Sequence, residues 1–384
     1  MSMLPNIPKR FSEMWLQVLN LEQTLFPEIK EQLGELGEKE ERLIRVLDFA
    51  NIEQYCCDVQ ITNPPKDRKE MGRAFIAKQV YNIHATRDLI DRLKVDKRLR
   101  ILCGWRYATD IPSESKFSRM FDLLSTNQAA ERAHEDFIKR YLGEGFFFYH
   151  ATDSTAIELR EKPAQKEERA PKPKSKRGRP KKGEKREPKE PTILQKQQKM
   201  ESTEEMLSLI STACGVGIKQ NTKGHRYQWI GGKLHLGVVD GDIPISAIYS
   251  SASVHDSSVA LPLMNESSAK VTYLYDLNDS AYQAEIIENF SKFKGHVQIV
   301  DINPKNSQAL KNEKEGEKIL NRLGFETRKS NHYGHRSSVE RVNGNLKDNY
   351  GCQNIYYQGA TKVASVLNFA VLSLCIVQSL KLLT

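Results

Sequence analysis

The hydrophobic pattern changes its period once, at Gly143–Gly145, and this change constrains the fold more than any other feature of the chain. Before it, residues 1–145 read as helices. Phe117, Met120, Phe121 and Leu124 recur at i, i+3, i+4 and i+7 behind Pro112-Ser113, a helix start, and Met71, Phe75, Ile76, Val80 and Ile83 suggest a second amphipathic helix. Leu89, Ile90 and Leu93 mark another, as do Phe137, Ile138, Tyr141 and Leu142. After the change, Phe146–Ala151 is a short apolar run that predicts a buried strand ending at Asp153. Order resumes near Gln228, where Lys233–Val239 and Ile243–Ser250 predict a hairpin around Asp240-Gly-Asp242. A helix capped by Asp256 is expected next, then a strand at Val271–Tyr275, a helix at Ala281–Phe290 and a strand at His296–Val300. A short helix near Lys318–Leu323 and a helix carrying Glu340 complete the series. Antiparallel strands followed by α/β alternation predict an α/β fold, a mixed sheet flanked by helices behind an all-α N-terminal region.

The positive charge is concentrated in one place. The chain carries +9, and residues 160–199 hold sixteen Lys or Arg against six Glu, or +10, which leaves 9 − 10 = −1 for the remainder. Residues 161–200 also contain six prolines and few apolar side chains, the composition of a disordered or extended insertion, with 161–205 taken as its bounds. Such a segment suits a polyanionic partner, or is a solubilising linker. The six cysteines make no C-x-x-C spacing, and the N-terminus has no signal-peptide run, so a reducing cytoplasm is expected. Residues 363–383 are apolar enough to raise the question of a membrane span. Asn368, Ser373, Gln378 and Ser379 within them favour a buried core helix and no membrane partner.

The richest local chemistry lies in the last third. On one helix at about 3.6 residues per turn, Tyr333, Arg336, Glu340 and Lys347 fall within roughly 60° of arc. Val339, Val342, Leu346 and Tyr350 form an adjacent apolar stripe. The row is either a phosphate-gripping arm around a metal-binding acid or a solvated i,i+4 Arg–Glu pair worth a few tenths of a kcal/mol. Two aspartates stand behind apolar strands, Asp153 and Asp276, and with Glu340 they make three acids whose mutual repulsion divalent cations would relieve. Asp301 also follows a strand, but Asn303-Pro304 marks a turn there; Asp240 and Asp242 read as turn residues and Asp279 as a helix start.

Tyr333, Arg336, Glu340 and Lys347 match without a gap the signature Y-(2)-R-(3)-E-(6)-K, and here the chain resembles the DDE transposases of bacterial insertion sequences. Asp153-Ser-Thr resembles the first-acid motif of that family and Tyr275-Asp276 the second, although the run Asp276-Leu-Asn-Asp279-Ser-Ala-Tyr282 departs from the usual pattern. Trp229-Ile-Gly-Gly-Lys233-Leu-His235 and Val254-His-Asp256-Ser resemble segments found between them, and Ser113–Arg119 resembles part of the helical N-terminal region.

The resemblance implies a ribonuclease-H-like catalytic domain over residues 146–384 and a DNA-binding helical region over residues 1–145. It implies Asp153, Asp276 and Glu340 as a triad holding two Mg²⁺ or Mn²⁺ ions, with Tyr333, Arg336 and Lys347 on DNA phosphates. The implied activity is cleavage at the terminal inverted repeats of an element and transfer into target DNA, by a protein that is at least a homodimer in synapsis. A non-catalytic DNA-binding regulator derived from such an enzyme is the alternative. Within the insertion, Lys176-Arg177-Gly178-Arg179-Pro180-Lys181-Lys182 resembles an AT-hook, which would place Arg177, Arg179, Lys181 and Lys182 on double-stranded DNA.

Overall fold

A computed structural model describes residues 9–57, 66–165, 190–220, 224–301, 304, 307–325 and 327–383. Arg177, Arg179, Lys181 and Lys182 lie outside the described residues.

Six strands form one sheet: β1 (Phe146–Glu158), β2 (Gly215–Gln220), β3 (Arg226–Val239), β4 (Ile243–Ser251), β5 (Thr272–Asn278) and β6 (Val297–Val300). β1 is central. It pairs antiparallel with β3 and parallel with β5, which pairs parallel with β6; β3 takes β4 along residues 232–239 and β2 along 226–231. The helix Ser257–Lys270 joins β4 to β5, and Glu285–Phe293 lies between β5 and β6. This is the expected α/β mixed sheet flanked by helices, with antiparallel pairing among β1, β2, β3 and β4 and parallel pairing among β1, β5 and β6.

Several boundaries differ from those the sequence predicts. β1 does not end at Asp153 but runs on to Glu158, and Phe146 and Phe148 at its start are exposed rather than buried. β2 escapes sequence reading because Gly215-Val-Gly217 has too few side chains to show an alternation. Residues 190–208, assigned to the extended insertion, hold the helices Ile193–Gln197 and Thr203–Ser208. Gln197 there is fully buried and donates to the carbonyls of Met206 and Ser258, while Met206 packs with Ala260, Leu261, Met264 and Ile287. The short helix expected near residue 318 spans Gln308–Arg322.

The covalent boundary near residue 145 is not a packing boundary. One apolar core runs from the N-terminal helices through the sheet to the helix Ala360–Lys381. That last helix is long and apolar enough to cross a membrane, yet 83% of its apolar window is buried inside the protein. It packs on the helices Glu38–Ala50, Arg68–Val80, Glu114–Thr126 and Ala129–Tyr141 and on β4. Polar contacts tie the same parts together. Asn368 donates to Glu131 at 2.9 Å, and His134, pushed down to about 3 mainly by burial, lies 2.9 Å from the Pro244 carbonyl.

Candidate active site

Strand register decides which acids meet. Asp153 stands opposite Leu236 of β3, and at the two-residue period of a strand it shares a face with Ala151 and Ile157. These side chains join the core against which Val339, Val342 and Leu346 of the helix Ser337–Asn349 pack. On the parallel side, Ala151 pairs with Leu277, so continuing the register by two residues brings Asp279 beside Asp153.

Asp276 goes the other way. It pairs with His150, three residues before Asp153, which puts it on the opposite face and roughly 10 Å back along the strand. There it is fully buried, 2.9 Å from His150 Nδ1 and accepting from Ser291 Oγ at 2.5 Å. The structure therefore does not bring Asp276 together with Asp153. An odd number of strand residues cannot bring two side chains to one face. The neighbouring pair on that face, Thr152 with Asn278, is likewise occupied by its own hydrogen bond.

Asp279, the register partner of Asp153, caps the short 3₁₀ turn Ser280–Tyr282 by accepting from the Ala281 amide at 2.7 Å. One carboxylate oxygen serves as the cap, in agreement with the helix-start reading. Tyr282 is buried beside both acids, its phenol raised well above its ordinary range by burial and by the charges of Asp256, Asp153 and Asp279. Burial also pushes Asp153 up to about 6. Asp279 adds to the rise, while the Ser154 amide, Arg336 and Lys219 pull against it.

The signature row is broken between two helices, Arg328–Gly334 and Ser337–Asn349, with Arg336 as the residue that caps the second. Arg336 donates to Glu340, and its guanidinium carbon lies 5.8 Å from the centre of the Tyr333 ring. Burial works against its charge, but Tyr333, Asp153, Glu340 and Asp279 outweigh this and raise it above its ordinary value. Arg336 therefore stands among all three acids on this face. Lys347 lies two turns beyond Glu340, roughly 10 Å away by helix rise. Burial and the like charge of Lys219, on β2, lower its pKa. The structure thus groups Tyr333, Arg336 and Glu340 with Asp153 and Asp279, and puts Lys347 in a separate basic patch with Lys219.

The flanking residues serve as supports. Asp256 does not cap its helix through its side chain; it pairs with Lys233 at 2.9 Å, which with other contacts holds its carboxyl below its ordinary value against the opposing effect of burial. Asp242, in the left-handed region at φ 59°, accepts two hydrogen bonds from Arg341, at 2.6 and 2.8 Å, and so pins the β3–β4 turn to the helix that carries Glu340. Asp240 accepts from the amides of Phe148 and Tyr149, and Asp301 pairs with Lys314 at 2.5 Å. Tyr149 stacks on His335 with ring centres 4.1 Å apart and lies 2.8 Å from His332 Nδ1, which fastens the Arg328–Gly334 helix to β1.

Carboxylate oxygens are the donors that Mg²⁺ and Mn²⁺ prefer, and burial, with a smaller contribution from Asp279, raises the Asp153 carboxyl. Among the described residues, however, no three such side chains are drawn together tightly enough to hold an ion. Glu340 is turned toward Arg336. It is 54% exposed, so swinging it away breaks an ion pair of small net worth. Asp153, Asp279 and Glu340 supply the kind of oxygen donor such an ion takes, but as placed they do not enclose one.

Residues 151–376, more than half of the 384-residue chain, match the family described as "Transposase DDE domain", and residues 28–123 match "Transposase domain (DUF772)". The chain belongs to the DDE transposases. The first match spans the sheet and its covering helices, and the second falls within the helical N-terminal region. No curated protein and no solved structure gives a match.

Proposed function

We propose that this transposase cuts DNA at the ends of its element and joins the freed 3′-hydroxyl to target DNA, with Asp153, Asp279 and Glu340 as its acids. The observation that carries this reading is the register of β1 and β5, which directs Asp153 and Asp279 to one face beneath Arg336 and Glu340. Asp279 replaces Asp276 in the triad inferred from sequence. Two divalent cations, Mg²⁺ or Mn²⁺, would be held by Asp153, Asp279 and Glu340 and would supply positive charge at the reacting phosphate. Tyr333 and Arg336 orient that phosphate, the guanidinium by paired N–H donors. Lys347, with Lys219, grips the backbone further along the strand.

The basic segment with Arg177, Arg179, Lys181 and Lys182 is proposed as an accessory contact to double-stranded DNA, and the helical region 1–145 as a further DNA-binding part. Paired element ends call for a homodimer at synapsis.

Incubating the full chain with Mg²⁺ and labelled DNA bearing the element's terminal inverted repeats tests this reading. Cleavage with joining supports it. Cleavage without joining reduces the activity to a nuclease, and binding alone makes the chain a DNA-binding regulator. Arg177→Ala with Arg179→Ala should weaken DNA binding about tenfold at moderate salt and flatten the salt dependence; unchanged affinity and slope would reduce that segment to a linker.

A further inference from the structure

The helix Gln308–Arg322 turns one side, with Leu310, Lys314 and Glu317, toward the protein, and its outward surface carries an apolar stripe among exposed charged residues. Leu310, Lys314 and Glu317 point inward and line a cavity of about 250 Å³ together with Val300, Asp301 and Tyr333. The opposite side carries Gly316, Ile319, Leu320 and Leu323 at i, i+3, i+4 and i+7. Ile319 is 52% exposed, Leu320 42% and Leu323 66%, and Phe325 just beyond the helix is 67% exposed. None of the helix's residues is buried. A soluble helix normally hides such a stripe, so this one is built for a partner.

We propose that the partner is a second copy of this chain, bound through the same stripe antiparallel about a two-fold axis near residue 318. Such a contact must be self-complementary, and this helix has the required pattern. Glu315 and Arg322 lie two turns apart along the same flank of the stripe. Antiparallel pairing sets each Glu315 beside Arg322 of the second copy, so the pair of opposite charges forms twice. The same register places Ile319 next to the axis, where its two copies meet. The contact would lie across the cavity from Tyr333, on the outer side of the element that joins β6 to the signature helices. The inference goes beyond the catalytic reading and uses none of its acid assignments.

Sedimentation velocity of the full chain without DNA, over a concentration series, tests it independently of cleavage. The chain should show a reversible monomer–dimer equilibrium. Ile319→Glu with Leu323→Glu should abolish the dimer, and because both sites are exposed the thermal midpoint should not fall. Glu315→Arg and Arg322→Glu should each weaken dimerisation about tenfold, and the two changes combined should restore it. A chain that stays monomeric throughout, a dimer indifferent to the stripe changes, or a double charge swap no better than the single ones would each overturn the proposal.

Discussion

The two faces of the sheet carry aspartates of opposite temper. On one, Asp276 is fully buried and fully engaged, held between His150 and Ser291. On the other, Asp153 and Asp279 lie side by side with one arginine near both, and burial leaves Asp153 at about 6. The first arrangement is closed: every added ligand would have to displace a hydrogen bond. The second is less saturated: burial raises the Asp153 carboxyl, and Arg336 and Lys219 only partly offset this. The difference shows that a buried carboxylate is a sign of architecture when its partners saturate it, and a sign of chemistry when they do not.

The contrast breaks most easily through activity. Asp153→Ala and Asp279→Ala should each lower end cleavage by about a thousandfold or more while the circular dichroism spectrum stays native. If Asp279→Ala cleaved normally, the register argument would lose its functional force. Asp276→Ala should behave in the opposite way. It leaves His150 and Ser291 without their acceptor in a buried site and should cost about 2–4 kcal/mol in urea unfolding. Activity should fall only as the folded fraction falls.

A smaller effect with an unusual sign is expected from Asp153→Asn. Because the folded carboxyl is raised to about 6 from 3.8, its charged form is disfavoured in the native state. The stability it contributes is present below pH 3.8 and lost as pH rises through about 6. Without divalent cations, the asparagine variant should therefore be more stable than the parent at pH 8, by roughly 1–2 kcal/mol after allowance for partial exposure, and no more stable at pH 3. Adding Mg²⁺ should raise the thermal midpoint of the parent and leave that of the variant unchanged. The smallest effect on stability is expected from Arg336→Ala: about 1 kcal/mol or less from its i,i+4 pair with Glu340, in which only Glu340 is exposed, against a large loss of cleavage. A stability loss of several kcal/mol would instead make Arg336 a structural residue.

Much of this was legible in the residues themselves. The change of period at Gly143 announced helices before it and strands after it, and the i, i+3, i+4, i+7 stripe of Phe117–Leu124 is buried as its spacing predicts. The row Arg336–Glu340 could be placed on one helical face because helix geometry is local, and the expected i,i+4 ion pair forms, with Asp153 and Asp279 near Arg336. The second acid was harder. Tyr275-Asp276 closes an apolar run just as His150–Asp153 does, and nothing nearby in the chain says that β5 continues for two more residues to Asn278. The cap on Ala281 was readable, but it disguised Asp279 as a helix start only.

By itself, the sequence determined most of the element types, the helical face shared by Arg336 and Glu340 and the chemical kinds of side chain available, because periodicity and propensity act over a few residues. Only the tertiary structure decided which of those side chains meet. Parallel register between β1 and β5 is set by contacts more than a hundred residues apart in the chain, such as Ala151 with Leu277. A shift of one residue sends a side chain to the other face. Asp276 and Asp279 are three residues apart, and that odd interval separates a buried structural carboxylate from a candidate catalytic one.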